Sequence, residues 1–300
     1  MSSPARQRFD FAVLQALLAL SRLLPRGALL ALGRGLGTLV WRRGLYRREV
    51  VRENLRHALG ATHDPAARDA VGEAFFRHLA TNLMEFLLLR RSSPERVRQW
   101  VEIAGLDNYR AALADGHGVI LVSGHFGNWE LMGPRLTGAG VDVTFLAKPQ
   151  SNARAERLLS QTRARAGMRV LPTGGAFREL QARLGRGEVI GMIVDQDAGP
   201  DGCFVPLLGR PASFHRGMAR LALQTGAPVV SGFIFRLPGG RHRLEIGPPI
   251  RPEPGLPEPE AVRRLTETFA QRLEAAVRRQ PEMYVWTHRR WKTRPPEETP

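Results

Sequence analysis

Apolar residues between positions 65 and 91 recur at three- and four-residue steps (Phe75, Phe76, Leu79, Leu83, Phe86, Leu87), the spacing of one helix face, and most of that stripe reads as core. Ser92-Ser93-Pro94-Glu95 ends this helix and starts another, since serine caps and proline fits a first turn. Beyond it the texture changes. Apolar runs of strand length at residues 119–123, 141–147, 189–195, 228–235 and 242–246 alternate with helical stretches at 128–136, 153–166, 176–185 and 215–224. A last helix runs from about Pro259 to Arg279. The alternation predicts an α/β fold, an open, mostly parallel sheet flanked by helices.

The N-terminal pattern differs. A run at 11–20 is broken by Arg22 and by Pro25-Arg26-Gly27 before a second apolar run at 28–41, and neither reaches the length of a spanning helix. An interfacial or short membrane anchor, a signal peptide and a buried core helix compete for this segment. Arg22, Pro25 and Arg26 stand where small residues would lead to a cleavage site, which argues against the signal peptide. Arg6 and Arg8 precede the first run, and Arg42, Arg43, Arg47, Arg48 and Arg52 follow the second, suiting the anionic headgroups of a cytoplasmic leaflet. The expected organisation is therefore N-terminal hydrophobic membrane-associating helices at 1–41, a helical segment packed on the catalytic body at 42–100, an α/β domain at 101–295 and a tail at 296–300.

Composition narrows the function. At 300 residues and 43% hydrophobic the chain can bury one large core with a helical appendage. Lys plus Arg total 44 against 28 acidic residues, a net charge of +16, so the surface attracts an anion: nucleic acid, an anionic membrane face or an acidic carrier protein. Only Lys148 and Lys292 are lysines, and this arginine bias also fits a coding preference. The single cysteine, Cys203, excludes an intrachain disulfide and a thiolate-cluster metal site. No metal or cofactor is expected.

The segment with chemistry is Gly118-Val-Ile-Leu-Val-Ser-Gly-His125, a buried strand delivering a histidine where open α/β sheets place reactive groups. Glu130 follows five residues later, and a tight turn through Gly127 would fold its carboxylate onto the imidazole, fixing its tautomer and making His125 a general base. The competing reading is a strand-end histidine and an ordinary first-turn helix acid. Ser123 lacks the G-x-S-x-G elbow of a serine hydrolase. Gly33-Arg-Gly-Leu-Gly37 lies within an apolar helix pattern rather than after a strand, so it is a poor dinucleotide fingerprint.

The segment 124–130 (Gly-His-Phe-Gly-Asn-Trp-Glu) resembles the H-x-x-x-x-D/E signature of glycerolipid acyltransferases, and in its longer form the late acyltransferases of lipid A biosynthesis. Four further blocks, in order, are similar to that family: Lys148-Pro149-Gln150 with Arg163; Asp195-Gln196-Asp197 with Phe204 to Ala212; Ala219 to Val229; and Pro281 to Pro295, which contains Trp286-Thr-His288-Arg289-Arg290-Trp291. Gln150 stands where the pattern more often has Asn, and Leu207-Leu208 where it has aromatics. The resemblance covers roughly residues 10 to 295.

The resemblance implies transfer of a fatty acyl chain from an acyl carrier protein thioester, with acyl-CoA as the other anionic donor, to a hydroxyl of a Kdo-bearing lipid A precursor. His125, Glu130 and Arg163 would be catalytic, with backbone N–H groups at Gly127 and Asn128 or the Arg163 guanidinium facing the oxyanion. Lys148, Asp195, Gln196, Asp197, His288, Arg289 and Arg290, with Gly127 and Asn128, would face substrate. Asp195 and Asp197 also fit a packing and hydrogen-bonding role beside the site, or a magnesium site. It further implies a bacterial inner-membrane location with the body on the cytoplasmic side, an anionic membrane surface and a membrane lipid acceptor as partners. A lysophospholipid or another glycolipid is the alternative acceptor. A nucleic-acid-binding protein is the alternative from another class, but no reading helix is present and the aromatic-basic stretch 286–291 belongs to the resemblance.

Overall fold

The computed structural model of the chain describes residues 4–296, with side chains from residue 11 onward. The arginines at 6 and 8 and nearly all of the expected tail at 296–300 therefore lie outside the described side chains. Five helices come first: α1 (Pro4–Leu23), α2 (Arg26–Arg43), α3 (Arg48–Leu59), α4 (Pro65–Leu89) and α5 (Pro94–Trp100). The α/β body follows as β1 (Val101–Ala104), α6 (Leu106–Leu113), β2 (Val119–Ser123), α7 (Met132–Thr137), β3 (Val143–Ala147), α8 (Ala153–Arg165), β4 (Arg169–Pro172), α9 (Phe177–Gly185) and β5 (Val189–Ile193). It is completed by β6 (Cys203–Leu207), β7 (Arg210–Phe214), α10 (Gly217–Thr225), β8 (Val229–Arg236), β9 (His242–Ile246) and α11 (Glu258–Arg279).

The caps act as the sequence suggests. Asp64 accepts from the Ala67 N–H to start α4, and Ser93 from the Arg96 N–H to start α5, each with proline in the first turn. α2 packs along α4 because Gly33 and Gly37 remove the side chains between them. A Cβ at Gly33 would stand 2.9 Å from the Thr81 Cα, and one at Gly37 would collide with the Phe76 carbonyl. The glycine-rich stretch is thus a helix-packing seam.

Seven strands form one sheet in the order β1-β9-β8-β2-β5-β3-β4, and all pairs are parallel except β8 with β9. β6 and β7 form a separate antiparallel hairpin. β2 is central and buried along its whole length. Its alternation sends Ile120 and Val122 to a core shared with α10 and α11, and Val119 and Leu121 to one shared with α5, α6 and α7. Each large side chain buried there contributes roughly 2 kcal/mol.

β1, β4 and the β6–β7 hairpin are additions to the pattern read from sequence. β1 and β4 are four-residue outer strands with partly exposed side chains, so neither shows a continuous apolar run. The strand expected over 189–195 ends at Ile193, although the Val194 N–H still donates to the Ser123 carbonyl at 3.1 Å. The register pairs Ser123 with Ile193. Two residues beyond each partner, His125 and Asp195 therefore leave the sheet at the same level.

Among the described residues no helix is long and apolar enough to cross a membrane. α1 buries Leu18 against Leu87 and Leu158, while Val13, Leu20 and Leu23 remain exposed. The basic cluster after α2 is partly structural. Arg48 donates to the carbonyls of Trp41 and Arg42, Arg47 to that of Thr287, and Arg52 pairs with Asp69.

Candidate active site

The turn that follows β2 is fixed by the rest of the chain rather than by its own contacts. The Gly127 N–H donates to the Met283 carbonyl at 2.9 Å, and the Val285 N–H donates to the His125 carbonyl at 3.0 Å. From the other side the Asn82 amide of α4 donates to the Gly127 carbonyl at 2.6 Å. Gly127 has φ +61°, and a Cβ there would collide with the Ile234 carbonyl oxygen, so both conformation and space require glycine.

His125 is held by Asp195. Oδ1 lies 2.6 Å from Nδ1, and Oδ2 accepts the His125 backbone N–H at 2.9 Å. An ionised carboxylate only accepts, so the imidazole carries its proton on Nδ1 and turns a lone pair outward at Nε2. Gln196 Nε2 lies 3.5 Å from that nitrogen, and the Trp129 ring meets the imidazole edge-on at 5.1 Å. Burial disfavours the imidazolium, but Asp195 and, at longer range, Glu130 outweigh it and raise the histidine above its ordinary value. Asp195 is buried, which works against its charge; His125, the His125 N–H and Arg290 overcome this and hold it below the usual carboxylate range. Behind the pair, burial and the neighbouring Asp195 push the Tyr284 hydroxyl well up.

Glu130 does not fold onto His125, which corrects the dyad expected from spacing. The 3-10 turn Trp129–Leu131 carries its side chain toward α8, where Arg163 takes it in both hands: Nη2 to Oε1 at 2.6 Å and Nε to Oε2 at 3.1 Å. Burial lowers the arginine, but Glu130 more than compensates and raises it above its ordinary value. Nη1 is left without a partner among the described residues. This ion pair provides the charged lining of a narrow, otherwise largely apolar cavity of about 70 Å³ that includes Trp129, Met132, Phe145 and Leu244 and lies against the β2–β5–β8 surface. Gly191 and Gly232 open the floor: a Cβ at Gly191 would stand 2.5 Å from the Phe145 ring, and one at Gly232 3.2 Å from the Met132 methyl.

Other residues expected to face substrate divide into two groups. Lys148, Gln196 and Arg289 are exposed, and His288 is half-buried. The rest are committed inward. Gly127 uses its N–H on Met283, so it is not free to face an oxyanion. Asn128 is 2% exposed and donates to Glu85. Arg290 is 1% exposed, lies over the Phe214 ring and donates to the Ser213 carbonyl, because Tyr284, Trp286 and Trp291 bury this segment. The Asp197 side chain is buried on Thr293 and Lys292, and its N–H donates to His288 Nε2. Among the described residues no three His, Cys, Asp or Glu side chains converge as metal ligands.

Sequence reading missed Glu85 and Asn82, which sit inside an apolar helix stripe. A glutamate in such a stripe is the available signal, since an acid is buried only with partners. Of the roles expected for Asp195, the hydrogen-bonding one beside the site is what the geometry shows, since the acid stands behind the histidine and does not face substrate.

A model of the bacterial lipid A biosynthesis acyltransferase family matches residues 3–293. The chain is 30% identical to the lipid A biosynthesis lauroyltransferase of Escherichia coli over 91% of this chain and 88% of that protein. It is 29% identical to the lipid A biosynthesis palmitoleoyltransferase of the same organism over 91% and 87% of the two chains. A phosphatidylinositol mannoside acyltransferase of Mycobacterium tuberculosis is 34% identical over 43% of this chain and 42% of its own. A match along almost the entire chain, with His125 backed by Asp195 beside an apolar cavity, makes this protein an O-acyltransferase that belongs to the bacterial lipid A biosynthesis acyltransferase family.

Proposed function

We propose that the protein moves a fatty acyl chain from a thioester, carried by acyl carrier protein or by coenzyme A, to a hydroxyl of a lipid A-type glucosamine disaccharide. The observation that carries this reading is His125 Nε2, left free by the Nδ1–Asp195 bond, beside a narrow apolar cavity edged by Glu130 and Arg163. His125 takes the acceptor hydroxyl proton on Nε2 as that oxygen bonds to the thioester carbon. The C–S bond then breaks and the thiolate takes the proton from His125, leaving an ester and a free thiol. No acyl-enzyme is required. Arg163 faces the oxyanion, and Glu130 orients Arg163 instead of the imidazole. The cavity receives the acyl chain.

The acceptor follows from the relatives, which are lipid A enzymes over nine-tenths of the chain. A phosphorylated glycolipid suits the exposed Lys148 and Arg289. The mannoside-acylating relative keeps another glycolipid as the second reading. The protein works at the cytoplasmic face of a bacterial inner membrane, lying on the bilayer through the exposed leucines of α1 and neighbouring arginines. Acidic acyl carrier protein suits the net charge of +16. The test offers purified protein each donor with a Kdo-bearing lipid A precursor, a lysophospholipid and a mannosylated phosphatidylinositol, and reads products by mass spectrometry. Acylation of the precursor that is lost in His125→Ala is the expected result; acylation of only another acceptor, or full turnover without His125, overturns the reading.

A further inference from the structure

Beneath the active-site turn lies a charged cluster that the reaction does not touch. Glu85 of α4 is 0% exposed. Its Oε1 accepts from Arg26 Nη2 at 3.0 Å, Arg236 Nη1 at 3.0 Å and His242 Nε2 at 3.0 Å, and its Oε2 accepts from Arg236 Nη2 at 2.7 Å and Asn128 Nδ2 at 2.9 Å. Arg236 also donates to Asn82 Oδ1 at 2.7 Å and His78 Nδ1 at 3.2 Å, while Asn82 donates to the Gly127 carbonyl at 2.6 Å. One carboxylate thus gathers α2, α4, the end of β8, the start of β9 and the turn that follows His125.

The charges agree with this arrangement. Burial alone would raise Glu85, but His242 and Arg236 hold it far below the usual carboxylate range, so it stays ionised. Burial pulls His242 below its ordinary value, against the opposing attraction of Glu85. A fully buried acid held by five hydrogen bonds from four residues costs desolvation that a hydrophobic side chain would not. The partners show where that cost is directed: two of the groups it orders, directly or through Arg236 and Asn82, belong to Gly127 and Asn128, adjacent to Trp129 and Glu130.

We infer that Glu85 is a positioning residue, the keystone of a buried clamp of Arg26, Asn82, Arg236, His242 and Asn128 that holds the 125–130 turn in its reactive shape and ties the docking of α2 to catalysis. Met283 and Val285 grip one side of the turn, and the clamp grips the other. Releasing the clamp lets Trp129 and Glu130 drift, and with them Arg163 at the mouth of the acyl cavity, while its apolar floor on the sheet and the exposed basic residues remain. The expected signature is loss in kcat with KM unchanged. The inference rests on the proposed reading only in placing the reacting groups on that turn.

The decisive experiment reverses one hydrogen bond. Asn128→Asp sets two carboxylates against each other and should lower kcat by roughly a hundredfold, with KM for both substrates within about twofold. Glu85→Gln leaves two guanidinium groups without their acid and should lower kcat similarly. The double variant Glu85→Gln/Asn128→Asp restores one donor, one acceptor and the net charge, and should return kcat to within about tenfold of wild type. Asn82→Ala removes only the strut to the Gly127 carbonyl from a partly exposed position and should lower kcat about tenfold in a folded protein. It decides the matter if the buried variants do not fold. Wild-type kcat in folded Asn82→Ala, or a folded double variant no better than the worse single, overturns the clamp. His125→Ala assayed alongside separates the two ideas: turnover that survives there strikes the base, whereas the clamp stands or falls on the kcat and rescue pattern.

Discussion

Asp195 meets His125 with both carboxylate oxygens, Oδ1 on Nδ1 at 2.6 Å and Oδ2 on the backbone N–H at 2.9 Å. The first contact sets the tautomer and the second sets the height of the residue relative to the sheet. Because β2 and β5 are parallel neighbours in register, both groups emerge two residues past paired positions, and no long loop has to find the geometry.

Asp195→Asn tests the tautomer without emptying the site. The asparagine oxygen can keep the backbone N–H, but its NH₂ then faces Nδ1, which must become an acceptor, and the proton moves to Nε2 where the base is needed. kcat should fall by about 10³ to 10⁴ with the fold and KM retained. Donor thioester consumption and thermal denaturation check this. A loss below tenfold would mean that Asp195 is a structural contact only.

The acid limb of the pH–rate profile should lie above 6.5, the ordinary histidine value, because Asp195 outweighs burial and His125 acts only when neutral. In Asp195→Asn the residual limb should move to lower pH. Stability follows the same linkage with its own sign. A raised folded-state pKa means that the imidazolium contributes stability fully present below the unfolded value and lost as pH rises through the folded one. Denaturation midpoints of wild type and His125→Gln should therefore converge as pH rises from neutral into the alkaline range. An acid limb unmoved by Asp195→Asn contradicts the assignment.

His125 was legible because an unbroken apolar strand ends on glycine and histidine, and strand ends are where sheets present chemistry. Its partner was not, because adjacency in a parallel sheet depends on strand order. β2 lies beside β5 and β8 and not beside β3, and no local pattern encodes that. Spacing along the chain favoured Glu130 instead, yet a glycine turn followed by a 3-10 turn aims it at α8. Arg290 was expected to face substrate with Arg289; its burial is decided by aromatics that dock the C-terminal segment.

If Glu130 acts through Arg163, the two should not be additive. Arg163→Ala should lower kcat by about 10² to 10³, as removal of one oxyanion donor does. Arg163→Lys should not rescue it, since a single ammonium cannot grip both carboxylate oxygens and still face the site. Glu130→Gln should cost less than Arg163→Ala, and the double variant should be no worse than Arg163→Ala alone. Additive losses would show that Glu130 acts directly on the histidine.

The acyl chain should sense Gly232. It lies on β8 facing α7, and a Cβ there would stand 3.2 Å from the Met132 methyl and 3.5 Å from Leu244 Cδ1, all three residues lining the cavity. Val adds a branched side chain to this floor, and the flexible Met132 end can yield only into the same space. Gly232→Val should therefore shift preference toward shorter donors. A discrimination of about 10-fold per excess methylene is what such a pocket supports. kcat for the best short donor should stay near wild type, because the change touches neither His125 nor Arg163. Met132→Ala should move the optimum the other way by enlarging the same end. A series of donor thioesters differing by two carbons reads both effects, and an unchanged length profile in both variants would mean that the chain lies elsewhere.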